Sequence, residues 1–231
     1  MTESERIARA YEHVLGERAA RWDLANPGNR AILDERRRLM VRLLDERGWI
    51  PLGDRSVLDV GCGGGVELAS FRELGASPSR LVGIDLLPAR VSTARAAYPD
   101  VDFRAGNAEK LEFPSDSFDL VLAFTVFSSI LDAGMARNVA GEVVRVLKPG
   151  GGLLWYDFRY DNPSNPDVRG VSGQRVRELF PVLSGRLHSL TLLPPLARRL
   201  GTLTPAAYPA LSALPPLRSH LFGLLTKPVA V

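Results

Sequence analysis

The chain has 231 residues, enough for one α/β domain with additions and a substantial core. Its content of 45% hydrophobic and 24% charged residues is that of a globular protein, and its net charge is +3. The one cysteine, Cys62, excludes an intramolecular disulfide. The start, Met1-Thr2-Glu3-Ser4-Glu5-Arg6, lacks the basic-then-apolar order of a signal peptide, and no apolar run is long enough to span a bilayer. A cytoplasmic protein is expected, monomer or homodimer, with peripheral membrane contact left open.

In chain order, residues 3–47 read as helices. Ile7, Ala10, Tyr11 and Val14, and then Ile32, Leu33, Leu39, Met40, Leu43 and Leu44, recur at helical spacing around a charged face. Asn26-Pro27-Gly28-Asn29 punctuates the two stretches, and Gly48 stops the second. Residues 1–50 are therefore expected to form a helical cap. From Ser56 strands and helices alternate: strands over 57–60, 81–84, 101–104, 118–124 and 152–158, with helices over 66–74, 88–98 and 136–147. Near-continuous apolar strands alternating with helices predict a parallel sheet covered on both faces. Farther on, a helix over 172–183 with Ser172 as its cap and strands over 189–193 and 220–225 are expected. Residues 193–217, rich in Pro, Leu and Ala, are too long for a simple connection and read as a helical insert or lid.

Three features fall at strand ends, where open parallel sheets bind ligands. Gly61, Gly63, Gly64 and Gly65 join the first strand to its helix and let a ligand approach the backbone. Asp85 ends the second strand, where an acid can bind ribose hydroxyls. Gly106-Asn107-Ala108-Glu109 follows the third strand and offers hydrogen bonds to a purine edge. A dinucleotide site carries G-x-G-x-x-G, whereas this loop reads Gly61-Cys62-Gly63-Gly64-Gly65-Val66.

Asp59-Val60-Gly61-Cys62-Gly63-Gly64-Gly65 resembles motif I of class I S-adenosylmethionine-dependent methyltransferases. The resemblance continues through Asp85, Asn107-Ala108-Glu109, Phe118-Asp119 and Leu147-Lys148-Pro149-Gly150-Gly151-Gly152. It implies a three-layer, Rossmann-like α/β sandwich whose seven-stranded, mostly parallel sheet has its last strand antiparallel. Residues 51–231 would form the methyltransferase domain under the helical cap. The cofactor implied is S-adenosyl-L-methionine, leaving as S-adenosyl-L-homocysteine. Gly61, Cys62 and Gly63 would lie along its methionine portion, with Asp59 at the amino end. Asp85 would bind the ribose, Leu86 would pack on adenine, and Ala108 and Glu109 would meet the adenine edge. Family members often carry Asp where Asn107 stands. Phe124 would line the sulfonium end, and Tyr11 is the lid residue implied to sit near the methyl group.

The acceptor side is read from position. Trp155-Tyr156-Asp157-Phe158-Arg159-Tyr160-Asp161-Asn162-Pro163 leaves the fifth strand at the ligand edge. Asp157 and Tyr160, with Tyr11 and His13 from the cap, are the candidate catalytic groups; Trp22, Arg159 and Asp161 are the candidate acceptor contacts. The structural alternative is that Asp157 and Arg159 pair at the strand end, that Trp22 packs a helix on the core, and that His188 and His220 are core or surface histidines. Residues 155–170 also resemble bacterial methyltransferases of secondary metabolism and surface-polysaccharide loci. That implies methylation of an O or N atom of a small-molecule or lipid-linked acceptor. From Val168 onward, Arg169, Arg175, Arg177, Arg186, Arg198, Arg199, Arg218 and Lys227 face the single acid Glu178. That basic flank keeps an RNA or protein acceptor as the rival reading, and a non-catalytic cofactor-binding protein is a third. With no compact Lys/Arg run and Ala123-Phe124-Thr125-Val126 after the fourth strand, no nucleic-acid partner is expected. No His, Asp or Glu cluster has metal-ligand spacing.

Overall fold

A computed structural model describes residues 1–12, 23–163 and 165–229 of the chain. Seven strands form one sheet: β1 (Val57–Val60), β2 (Leu81–Asp85), β3 (Asp102–Ala105), β4 (Phe118–Phe124), β5 (Leu147–Phe158), β6 (Leu187–Leu192) and β7 (Arg218–Thr226). Their order is β3-β2-β1-β4-β5-β7-β6; β7 runs antiparallel to both neighbours and the remaining pairs are parallel. The expected mostly parallel sheet with an antiparallel last strand is what forms. The chain winds outward through β2 and β3, then returns to the other side of β1 as β4. The strand order therefore reverses between β1 and β4, which opens a crevice at their carboxyl ends.

Alternation along each strand splits the core in two. Leu58, Val60, Val121, Ala123, Leu153 and Trp155 point to one face, covered by α5 (Ala133–Val146) and α6 (Gly173–Leu179). Val57, Leu120, Leu122, Leu154 and Tyr156 point to the other, covered by α2 (Pro27–Glu46), α3 (Val66–Ser70) and α4 (Pro88–Ala97). Three layers result. Helix α1 (Glu3–Glu12) adds Ile7 to the first face. Between β6 and β7 lie α7 (Pro194–Arg199) and α8 (Thr204–Ser212), which pack Ala197 and Tyr208 against Ile32 of α2. Local chemistry sets the helix starts: Asn26 Oδ1 accepts from the Gly28 and Asn29 N–H groups, and Asp132 Oδ1 from Met135 N–H.

Some boundaries differ from those the sequence predicts. Strand β5 begins at Leu147, so Lys148-Pro149-Gly150-Gly151 lies inside a strand and does not merely stop a helix. A register shift between Phe118 and Leu120 absorbs it, and a side chain at Gly151 would meet the Asp119 and Lys148 carbonyl oxygens at 2.9 Å. Helix α3 tightens into a 3₁₀ turn at Phe71–Leu74 and ends on Gly75, φ 84°. Helix α6 stops at Leu179, short of residue 183. Among the described residues no helix is long and apolar enough to cross a membrane.

Candidate functional site

The crevice is shaped first by backbone. Gly61, Gly63 and Gly65 have φ values of 75°, 55° and 78°, in the left-handed region where a side chain is strained. At Gly61 a Cβ would also meet the Val126 side chain at 2.9 Å, so the loop lies tight against the turn that follows β4. Asp85 fastens this loop to β2. Its Oδ2 accepts from Gly63 N–H at 2.8 Å and its Oδ1 from Leu87 N–H at 2.9 Å. A carboxylate oxygen has more than one lone pair, so both can still accept from a ligand hydroxyl.

Above this floor is a cavity of about 600 Å³, inside the range of roughly 300–1,000 Å³ for small-molecule sites. Gly61, Asp85, Leu86, Asn107, Ala108 and Phe124 line it, so the structure brings together residues from all three sequence features. Tyr11 and Ile7 of α1 close one side. Helix α1 is held there by polar contacts distant in sequence. Arg6 Nη2 donates to Ser129 O at 2.6 Å, Glu3 Oε1 accepts from Leu131 N–H at 2.5 Å, and the Tyr11 and Ser129 hydroxyls share a hydrogen bond at 2.8 Å. The Arg6 guanidinium holds the Glu3 carboxyl below its ordinary range.

The other candidates sit outside the cavity lining. Asp59 is buried on the β1 face that carries Val57; burial, then the nearby Glu67 and Asp85, push its carboxyl well above the usual range. Cys62 points its sulfur into the core beside Gly83, and burial pushes its thiol up. Gly63 contributes its N–H to Asp85. Glu109 Oε1 accepts from Asn138, and Asn107 Oδ1 accepts from Glu109 N–H, which shapes the turn that presents Ala108. Asp157 is fully buried: its Oδ2 accepts from Ser128 N–H at 3.0 Å and its Oδ1 from Phe158 N–H at 2.8 Å, while burial raises its pKa to about 6. Arg159 lies 4.5 Å over the exposed Tyr160 ring, and Asp161 accepts from Gly170 N–H. His13 and Trp22 lie outside the described residues. His220 stacks on Tyr156 at 4.5 Å, and burial lowers its pKa to about 3, so it stays neutral. His188 is also shifted down by burial. Among the described residues no His, Cys, Asp or Glu group could hold a metal.

Sequence reasoning missed Arg90, Val126, Ser129 and Met135 of the lining. Arg90 sits in the first turn of α4, its guanidinium against Gly63 and 5.4 Å over the Tyr11 ring. Ser129 lies in the 3₁₀ turn after β4 and gains meaning only through Tyr11 and Arg6. Arg36 of α2 pairs with Glu67 of α3 and lies 5.0 Å over the Phe124 ring, a contact that helical periodicity does not show.

Sheet order, glycine turn, strand-end acid and the Asn107–Ala108 turn together define the Rossmann-like, nucleoside-binding class. Residues 57–151 match the family model described as a methyltransferase domain. The chain is similar to the ubiquinone biosynthesis O-methyltransferase of Azorhizobium caulinodans, with 36% identity over 104 residues, 43% of this chain and 40% of that protein. It is also similar to the phthiotriol/phenolphthiotriol dimycocerosates methyltransferase 1 of Mycobacterium ulcerans, 36% identical over 132 residues, 56% of this chain and 47% of that one. The chain thus spans under half the length of these two relatives. An S-adenosylmethionine-dependent methyltransferase of Mesorhizobium loti shares the fold at a TM-score of 0.61 and 19% identity, covering 77% of this chain and 93% of that one. Residues 57–151 thus carry the methyltransferase-domain match, within a fold shared with an S-adenosylmethionine-dependent methyltransferase.

The cavity fits that cofactor. Leu86, Ala108 and Met135 give apolar walls for a purine, Asp85 retains acceptor capacity for two hydroxyls, and Gly61 carries no side chain where a ligand approaches the loop.

Proposed function

We propose that the protein transfers a methyl group from S-adenosylmethionine to an oxygen or nitrogen atom of a small, lipid-like acceptor. The observation that carries this is the single cavity in which Gly61, Asp85, Ala108 and Phe124 share space with the hydroxyl pair of Tyr11 and Ser129. The cofactor supplies an already activated methyl. The chain then has to align an acceptor, exclude water and receive a proton.

In this reading Asp85 takes the ribose hydroxyls, Leu86 and Ala108 sandwich the base, and the Tyr11 and Phe124 rings offer π faces to the sulfonium. The Tyr11 and Ser129 hydroxyls, 2.8 Å apart on the cavity wall, are the polar groups that would orient the acceptor heteroatom. Asp157 is a positioning residue: through Ser128 N–H it fixes the turn that carries Ser129. Arg159, Tyr160 and Asp161, at the exit of β5, are outer acceptor contacts. The relatives named for ubiquinone and for phthiotriol dimycocerosates support the lipid-like acceptor.

Calorimetry with S-adenosylhomocysteine, followed by labelled-methyl transfer to phenol, quinol and amine acceptors, tests the reading. Asp85→Asn is expected to weaken cofactor binding on the order of 100-fold, because it forfeits charge-assisted hydrogen bonds to the loop and to the ribose. Wild-type protein that binds no cofactor refutes the proposal.

A further inference from the structure

The insert between β6 and β7 is built inside out. A surface helix in water turns its polar side chains outward. In α8 the polar residues Thr204, Tyr208 and Ser212, spaced four apart, are the buried ones. Tyr208 donates to Glu35 Oε2 at 2.8 Å, while the Thr204 and Ser212 hydroxyls close onto the Gly201 and Pro209 carbonyls. Among residues 202–216 the exposed ones are Thr202, Leu203, Pro205, Ala206, Pro209, Ala210, Ala213, Leu214, Pro215 and Pro216, all but Thr202 apolar. Leu203 is 67% and Leu214 51% exposed, far above what an apolar side chain packed on its own domain retains. Residues 200–217 carry no charged side chain at all. A contiguous apolar face of this kind marks an interaction surface.

Its rim identifies the partner. Arg199, at the end of α7, is exposed and has no ion pair or hydrogen bond among the described residues. Arg30 of α2 spends its guanidinium on the neutral carbonyls of Leu24 and Ala25 and so keeps its full charge, beside the half-exposed Leu24. The loop bearing Leu24 is tied to α7 by Asn26 Nδ2 donating to Arg198 O. Against these cations stands Asp23, whose carboxylate accepts from Ala25 N–H. No acid follows Glu178 in the chain. An apolar face bordered by unpaired cations suits an interface of acyl chains under anionic headgroups.

We propose that the outer face of this insert docks the protein on an anionic lipid bilayer. Strand β6 runs parallel to β5 and ends at Leu192, opposite Arg218, at the same edge of the sheet as Phe158 and Phe124. The insert thus leaves the carboxyl edge three strands from β4, about 14 Å at the usual strand spacing. Docking there turns the edge that holds the cavity toward the membrane, the arrangement needed to take an acceptor from lipid. The surface itself does not depend on what the cavity does.

Flotation of the whole chain, without cofactor, on vesicles of phosphatidylcholine and of phosphatidylcholine with phosphatidylglycerol tests it. The protein is expected to partition onto the mixed vesicles, more weakly as salt rises. Leu203→Asp with Leu214→Asp lowers partitioning at least about tenfold, since it removes two exposed leucines that docking would bury in the bilayer. Arg199→Ala lowers it about fivefold on anionic vesicles only. Both leucines are exposed, so an unchanged thermal melt confirms the fold, and Val182→Asp, at an exposed apolar residue elsewhere, serves as the silent control. Absence of vesicle binding overturns the proposal, as does undiminished binding of the leucine double variant. So does a wild-type dimer that the double variant dissolves while no vesicle binding is seen, because the face then belongs to a second copy of the chain.

Discussion

The carboxyl edge of the sheet carries two kinds of construction. At β1, β2 and β4 the chain leaves in short turns, and the site is made of backbone: three glycines at positive φ, and the Gly63 N–H held by Asp85. At β6 and β7 the chain leaves in an insert held by side chains, with Glu35 receiving the Tyr208 hydroxyl and the Thr191 N–H, and the Thr191 hydroxyl meeting that of Tyr156. The first half presents a cavity and the second a face. A backbone-built site tolerates almost no substitution at its turns, whereas a side-chain-built insert is free to change its outer surface as long as its buried polar stripe persists. The two halves should therefore fail separately.

The largest effect is expected at Gly65. Its φ of 78° strains any side chain, and a Cβ there would lie 2.5 Å from the Phe103 ring. Gly65→Val combines that strain with overpacking, together about 3 kcal/mol or more. A thermal melt should show a fall on the order of 10 °C, with cofactor binding lost at temperatures where the protein is still folded. Gly64→Ala is the matched control. A Cβ there meets nothing within 4 Å, so the melt should not move. Equal damage from both variants would mean that the loop is not held as described.

The same contrast explains what was legible beforehand. Positive-φ turns admit little but glycine, so Gly61, Gly63 and Gly65 announce the crevice, and a strand-end Asp85 follows at a fixed distance. Apolar runs announce β1, β2 and β4 for the same local reason. What could not be read depends on partners far along the chain. Ser129 becomes a site residue only when Arg6 and Tyr11, 123 and 118 positions away, reach it. Asp59 and Asp157 are ionisable side chains in or near strand ends, and only the fold shows that both are buried. The composition of the insert suggests a helical insert or lid, but only the location of Glu35 shows that its polar residues point inward. Lys148-Pro149-Gly150-Gly151 carries the local chemistry of a helix stop, and only pairing with β4 draws it into β5.

Asp157, where β5 passes between the two halves, gives a pH-dependent effect. Its carboxyl is raised from 3.8 to about 6 by burial. The folded protein therefore holds this proton more tightly than the unfolded chain. The stability so gained is complete below pH 4, fades as pH rises to about 6 and is absent above. A rise of that size corresponds to roughly 3 kcal/mol. Asp157→Asn removes the titration and one of the two acceptors now serving Ser128 and Phe158 N–H, the latter costing about 1–2 kcal/mol. Melts of the variant and the wild type should cross, with the variant less stable at pH 4 and at least equal at pH 7. A constant difference across that range would show that the buried carboxyl does not titrate there.

The smallest effect bears most directly on the independence of the two halves. Tyr208→Phe keeps the ring in the pocket it shares with Ile32 and Ala197 but removes the hydroxyl from Glu35. Glu35 Oε2 still accepts from Thr191 N–H at 3.1 Å, so the carboxylate is not left bare. The loss should be about 1–2 kcal/mol, that of one charge-assisted hydrogen bond, and should fall on the insert. Limited proteolysis should accordingly speed up within residues 193–217. Cofactor affinity should hold within about twofold, because no bond in that network reaches the glycine loop, and changes beyond that need well over a few tenths of a kcal/mol. A tenfold drop in affinity would reveal a coupling route. One such route runs from Glu35 through its helix neighbour Arg36 to the Phe124 ring 5.0 Å away, and another through Thr191 and Tyr156 to the same ring. If the first carries the coupling, Arg36→Met reproduces the drop without touching the insert.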